Sequence, residues 1–438
     1  MYRLVATLAL CAVPLAAAAA TPPVDCHVGL YRFADGGSVD IGTSSDDTLR
    51  WRRPDGTSGA FAIAGAQAGV SRLGWTSRPD GRHVTLADCA RDEIAFDGMP
   101  ARRVALRTTE TRFTSDGTTL AGRLVMPPGD APVPVVVLLQ GAEHDSARLF
   151  DSMQRRFPGE GIGAFVFDKR GTGESGGRYT QDFDQLARDA VAALAEARRL
   201  GGTRVARIGY MGPSQGGWVA PIAANAAPVD FVIVSFGLAV SVLEEDRSSV
   251  AMDIDAKGWP APVMARAMAL VDAADAVALH PSMATFDRFA AIRDKDRAEP
   301  WFKDVHGDFA FAILPLERDQ LAGLAEKFDF HTPFLYDPLA TIDRVAAPQL
   351  WIQGRDDLEA PYAETARRLA QLRLAGRPVA TALYPHAEHG IYEYETAADG
   401  TRTSLRQPDG YLALMADFAR GATPRAAYGD AQVDWPQR

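Results

Sequence analysis

Little in this chain points to a metal, a redox centre or a membrane. Its 438 residues hold three cysteines and eight histidines, scattered rather than set at ligand spacing. No apolar run approaches the ~20 residues of a membrane helix; the longest, Leu4 to Leu15, is short and rich in alanine. Basic charge is also scarce. Lys and Arg number 46 against 56 Asp and Glu, a net charge of −10. That balance argues against nucleic acid and anionic lipid as partners. What is present is apolar mass, 47% of residues against 23% charged, enough to bury a full core. The length exceeds one core of ~100–200 residues, so two or three units are expected.

The first stretch reads as a cleaved export signal, residues 1–20. Arg3 supplies the positive start, Leu4 to Leu15 the apolar centre and Ala18-Ala19-Ala20 the cleavage site. Cys11 lies inside it behind Leu10, not behind a small residue, which argues against a lipid anchor. A periplasmic or secreted protein is therefore expected. Cys26 and Cys89 are then the remaining cysteines, and in an oxidising compartment they are expected to pair.

Residues 21–107 are dense in Asp-Gly pairs: Asp35-Gly36, Asp55-Gly56, Asp80-Gly81 and Asp97-Gly98. Such pairs supply the positive φ of tight hairpin turns. Between them run short alternating segments, among them Thr48 to Arg52 and His83 to Leu86. A small antiparallel β domain is predicted, as a prop or a wall of the substrate pocket. Trp51 and Trp75 are read as its core rather than as ligand stackers.

From residue 108 the rhythm changes to alternating strands and helices, which implies a mostly parallel sheet covered on both faces. Within it, Arg204 to Met211 reads as a buried strand and Trp218 to Asn225 as an apolar helix. Between them stands Gly212-Pro213-Ser214-Gln215-Gly216-Gly217. Strand, sharp Gly-x-Ser-x-Gly turn and helix form the context of a nucleophile elbow, with Ser214 exposed at its tip. Small flanking residues are needed because bulk would meet the adjacent strand and helix. The bland alternative is an ordinary glycine-rich turn.

Further motifs carry a resemblance. Gln140-Gly141-Ala142 follows the third core strand, and Asp168-Lys169-Arg170-Gly171-x-Gly173-x-Ser175 follows the fourth. Gly354-Arg355-Asp356-Asp357 with Pro361 follows a later strand, and His389-Gly390 follows the last. With the elbow, these resemble the α/β-hydrolase family over residues 108–420. The likeness is to the bacterial exported, prolyl oligopeptidase-like and dienelactone hydrolase-like serine hydrolases. The resemblance implies an α/β fold with Ser214 as nucleophile, Asp357 as acid and His389 as base. It implies an oxyanion hole from the amides of Gln215 and Ala142. Gln140 departs from the family, which carries histidine there. Asp356 is the fallback acid. Asp168 is read as bracing its turn through Arg170. His144, the Glu244-Glu245-Asp246 run and a metal site of His386, Glu388 and His389 are weighed and set below these assignments.

The expected division is a core over 108–240, a helical cap insertion over 241–340, the rest of the core over 341–420 and a loose tail over 421–438. The cap is read from helix-forming stretches, Ala261 to Leu279 and Leu316 to Phe328. Aromatics between them are expected to be split between the pocket and the packing of the cap. The expected reaction is cleavage of a carboxylic ester through an acyl-serine, without cofactor or metal. A serine aminopeptidase or dipeptidyl-peptidase acting on short peptides is the alternative. A non-catalytic binding protein on the same scaffold is the alternative of another class.

Overall fold

The computed structural model describes residues 24–44, 48–64, 67–68, 70–307, 309–320 and 331–436. The expected export signal lies outside them, as does most of the helix expected over 316–328. Of that helix, the described part holds only a short 3₁₀ turn, Arg318–Gln320.

The N-terminal strands are all antiparallel. In space they run Thr48–Arg52, Ser38–Thr43, Gly29–Phe33, Met99–Arg103, Glu93–Phe96, Pro79–Leu86, Val70–Leu73 and Ser58–Ala64. The last pairs back onto the first, closing a barrel. Closure removes the exposed edges that a sheet of short strands would otherwise present. Asp97 and Gly98 turn one hairpin with φ of 52° and 77°, as the Asp-Gly signal requires. Tyr31, Ile41, Trp51, Phe61, Val84 and Phe96 fill the barrel. Trp51 is core, as expected, but Trp75 is 40% exposed. It stands edge-on to Tyr392 of the second unit, ring centroids 4.6 Å apart, beneath the Arg50 guanidinium. The expected disulfide is present: Cys26 and Cys89 are joined, with Cα atoms 5.7 Å apart.

The second unit is built on a nine-stranded sheet. Its strands are β1 (Arg107–Ser115), β2 (Thr118–Met126), β3 (Val133–Leu138), β4 (Gly163–Phe167), β5 (Val205–Pro213), β6 (Phe231–Ser235), β7 (Gln349–Gly354), β8 (Val379–Tyr384) and β9 (Gln432–Asp434). The spatial order is β1-β2-β4-β3-β5-β6-β7-β8-β9. Strands β3 to β8 pair in parallel, while β1, β2 and β9 are antiparallel to their neighbours. Strands β3, β4 and β6 read as nearly unbroken apolar runs because both faces of the sheet are buried. Helices Phe183–Gly201 and Gly216–Ala226 cover one face. Helices Met153–Gly159 and Tyr411–Arg420 cover the other. This is the α/β-hydrolase topology.

The tail corrects an expectation. Its prolines suggest a loose segment, yet within the described residues Val433 pairs with Ala382 in β8 and Trp435 stacks on Phe418. Tyr428 is buried and its hydroxyl donates to Asp417. The chain there gains partners that no local pattern announces.

Between β6 and β7 lie helices Val242–Ala256, Ala261–Leu279 and Met283–Asp296, which share a separate apolar cluster around Leu270, Phe289 and Trp301. Barrel and sheet meet across a buried ion pair. Arg155 reaches Asp40 through Nε at 2.5 Å and through Nη2 at 3.1 Å. The hairpin Glu393–Thr396 and Arg402–Arg406 follows His389 and adds to this seam, where the Ser58 hydroxyl donates to the Leu405 carbonyl.

Candidate active site

The elbow is a strained corner. Ser214 has φ of +47°, in the left-handed region that side chains ordinarily avoid. The corner is held because the Ser214 N–H donates to the Ser235 carbonyl at 3.0 Å and its carbonyl accepts from Gly217 at 2.7 Å. A β-carbon on Gly212 would stand 2.2 Å from the Gly216 carbonyl oxygen. Glycine there is a steric requirement.

His389 lies in the loop after β8. Its Nδ1 is 3.0 Å and 3.2 Å from the two carboxylate oxygens of Asp357. Asp357 is buried, and its Oδ1 also accepts the Glu359 and Ala360 amides at 3.0 and 2.8 Å. A proton on Nδ1 facing this carboxylate leaves Nε2 as the acceptor. Asp356 turns the other way and accepts from the Tyr394 hydroxyl at 3.1 Å. Ser214 and His389 line one cavity of about 240 Å³, together with Ala142 and Gln215.

The loop after β3 abuts the serine. A β-carbon on Gly141 would lie 3.3 Å from the Ser214 Cβ. Gln140, placed where the family carries histidine, ties the ends of β3 and β4 together. Its side-chain amide donates to the Leu138 and Phe167 carbonyls, both at 3.0 Å. Lys169 donates to the Gly141 carbonyl at 2.5 Å, and the Tyr179 hydroxyl donates to that of Ala142 at 2.6 Å. Burial pushes the Lys169 ammonium down to about 8, against a smaller upward pull from Glu143.

The other weighed residues fall elsewhere. His144 stacks on Tyr179, with ring centroids 3.6 Å apart, and does not line the cavity. Asp168 does brace its turn, but not through Arg170. It accepts from the Ser146 hydroxyl and the Arg148 and Glu174 amides, while Arg170 pairs with Asp189 on helix Phe183–Gly201. A buried guanidinium takes the carboxylate it can grip through two nitrogens, and that one lies in a different element. Glu244 closes the capping box of its helix and bonds Arg368 at 2.6 Å. Asp246 is buried and accepts the Phe309 and Ala310 amides. Glu388 accepts from the Ser404 hydroxyl.

Of the cavity's further residues, the sequence pointed to Glu245, within the run weighed above, but offered no signal for Glu359, Gln181 or Thr332. Glu245 and Glu359 both line it, and Glu359 brings a carboxylate oxygen to 3.6 Å from His389 Nε2. Gln181 and Thr332 are hydrogen-bonded to each other on its wall. Phe309 lines it with Phe183 and Trp218 of the core. Phe286, Phe289 and Trp301, three of the aromatics between Ala261–Leu279 and residue 316, pack in the helical cluster. A larger cavity of about 290 Å³ opens between barrel and sheet, near Arg52, Asp151 and Arg156, and Ser214 does not line it.

Sheet order and elbow define the class of fold: the chain has the α/β-hydrolase fold. Within that class, residues 130–246 match the family described as serine aminopeptidase, S33. Esterase FrsA of Enterobacter sp. (strain 638) is 30% identical over 112 residues, which is 25% of this chain and 27% of that protein. The match thus spans about a quarter of that curated relative. Among solved structures, the Pyrococcus furiosus esterase PF2001 aligns at TM-score 0.41 and 16% identity, covering 65% of this chain and 84% of that one. The acylaminoacyl peptidase of Pyrococcus horikoshii aligns at TM-score 0.41 and 16% identity, covering 80% and 52%. No helix among the described residues is long and apolar enough to cross a membrane.

Proposed function

We propose that the chain cleaves carboxylic esters by acyl transfer to Ser214. The observation that carries this is the Asp357–His389 hydrogen bond, made by a histidine that shares one cavity with Ser214. Serine is a weak nucleophile at its free pKa and needs a base within reach. His389 Nε2 takes the Ser214 proton as Oγ bonds to the substrate carbonyl carbon. It then gives that proton to the departing alcohol oxygen as the ester bond breaks. Water attacks the acyl-serine in turn, with His389 receiving its proton and returning it to Ser214. Asp357 fixes the imidazole tautomer and stabilises its cation. The amides of Gln215 and Ala142 donate to the oxyanion at each tetrahedral stage. We read the helices between β6 and β7 as the cap that excludes water, and the chain as exported.

One observation favours a second reading, cleavage of short peptides. Glu245 and Glu359 face the cavity, and among the described residues no lysine or arginine lines it. Two carboxylates beside an apolar wall suit a substrate with a protonated amine. Turnover of short-chain p-nitrophenyl esters against aminoacyl amides separates the two. A fluorophosphonate adduct on Ser214, found by mass spectrometry, tests the nucleophile, and activity that survives Ser214→Ala sinks it.

A further inference from the structure

The polar groups of the loop after β3 are held one by one. The Gly141 N–H donates to the Glu143 carboxylate at 3.2 Å. The Gly141 carbonyl accepts from Lys169, and the Ala142 carbonyl accepts from Tyr179. Among the described residues, no acceptor meets the Ala142 N–H. The Gly141–Ala142 peptide is trans, as are all the described peptide bonds. In a trans peptide the carbonyl and the following N–H point in opposite directions. Fixing the Gly141 oxygen on Lys169 therefore turns the Ala142 N–H away from Lys169, and Ala142 lines the cavity together with Ser214 and Gln215.

We propose that Lys169 is a positioning residue for the oxyanion hole: its ammonium locks the Gly141–Ala142 peptide plane so that the Ala142 amide is aimed before substrate arrives. This deepens the reading above and rests on it. Lys169 is 3% exposed and has no carboxylate within ion-pair reach among the described residues. The ammonium also stands 4.9 Å from the Tyr179 ring centroid. A buried ammonium with no direct ion pair is expensive for the fold, and the pull of Glu143 is smaller than the cost of burial, so its presence adds little to stability. What it gives is a strong, charge-assisted hydrogen bond to one carbonyl. That bond also polarises the peptide and strengthens the N–H on its far side as a donor. Tyr179 does the same for the next peptide, so the Ala142 nitrogen lies between two planes that cannot easily rotate. Preorganised donors stabilise a transition state because they need not reorient during the reaction.

The test compares full-length wild type, Lys169→Met, Tyr179→Phe and Ser214→Ala. Readouts are kcat and KM on a p-nitrophenyl ester, inhibition by phenylboronic acid and thermal stability. Methionine keeps the volume and length but cannot donate. For Lys169→Met the expected result is a fall of about 10–100-fold in kcat with KM within about threefold, less than the ~10²–10³ of deleting a donor outright. The boronate, whose tetrahedral adduct carries an oxygen into the oxyanion hole, should lose affinity by a similar factor. Its Tm at pH 7 should be no lower than that of wild type. Tyr179→Phe should show a smaller fall with the same split. A folded Lys169→Met with wild-type kcat and boronate inhibition overturns the proposal. If Lys169→Met does not fold, Tyr179→Phe decides, and wild-type kcat there overturns the two-sided brace. Residual turnover by Ser214→Ala would instead reject the reading on which the proposal rests.

Discussion

Asp357 and His389, which come from different loops of the sheet, are joined Oδ2 to Nδ1 at 3.0 Å, whereas Asp356 turns to Tyr394. Asp357→Asn should therefore lower kcat on the order of 10⁴-fold with little loss of stability, because the wrong imidazole tautomer is then favoured. Asp356→Asn should leave kcat near that of wild type. Steady-state ester hydrolysis on both variants checks this, and the reverse ranking would move the acid to Asp356.

The elbow gives a steric prediction. Gly212 has no space for a methyl group, with the Gly216 oxygen 2.2 Å from where it would sit. Gly212→Ala should lose about 1–3 kcal/mol and most activity together, since relief of the clash moves the Ser214 corner. Urea unfolding and labelling by a fluorophosphonate report the two effects separately.

The seam between barrel and sheet rests on Asp40 and Arg155, both buried. Removing one partner strands the other charge. Arg155→Met or Asp40→Asn should each destabilise by about 3–5 kcal/mol, while Asp40→Leu with Arg155→Met should recover much of the loss. Chemical denaturation of the set measures this. Equal stability of single and double variants would place the weight of the seam elsewhere.

The disulfide encloses a long loop, its cysteines 63 residues apart in sequence. In the chain-entropy account such a crosslink stabilises by about 4 kcal/mol. Cys26→Ser with Cys89→Ser should lower the barrel's unfolding free energy by that order, read by chemical denaturation. It should leave ester kcat nearly unchanged, because neither cysteine lines the cavity.

Lys169 adds a pH dependence of stability. Its folded pKa, pushed down to about 8 by burial, lies below its ordinary value near 10.5. Between these values the unfolded chain binds more protons than the folded one, so this group makes stability rise with pH. Relative to Lys169→Met, wild type should be at its weakest below pH 8 and gain steadily toward pH 10. Thermal melts of the two proteins across that range test the sign.

Much of the fold was legible because it is local. The apolar runs of β3, β4 and β6, the 3.6-residue stripe of helix Phe183–Gly201 and the helix-forming composition of Ala261–Leu279 announce themselves within a few residues. So does the elbow, since the glycines around Ser214 answer to a clash within a few residues of it. The barrel was half legible: its turns carry Asp-Gly, but closure depends on Ser58–Ala64 finding Thr48–Arg52 while also pairing with Val70–Leu73. The strand Gln432–Asp434 was not legible, because its signal is too short to stand out without β8 beside it.

The sequence by itself determined which residues are chemically capable, and roughly where each lies along a strand–loop rhythm, because backbone propensity and side-chain period act over a few residues. Only the tertiary structure decided which of them meet. It set Asp357 rather than Asp356 against His389, gave Arg170 to Asp189, brought Glu245 and Glu359 to one cavity wall and set Lys169 beneath the Gly141 carbonyl. Those choices depend on direction and distance between elements far apart in the chain, and hydrogen bonds and ion pairs fall off over a few ångströms.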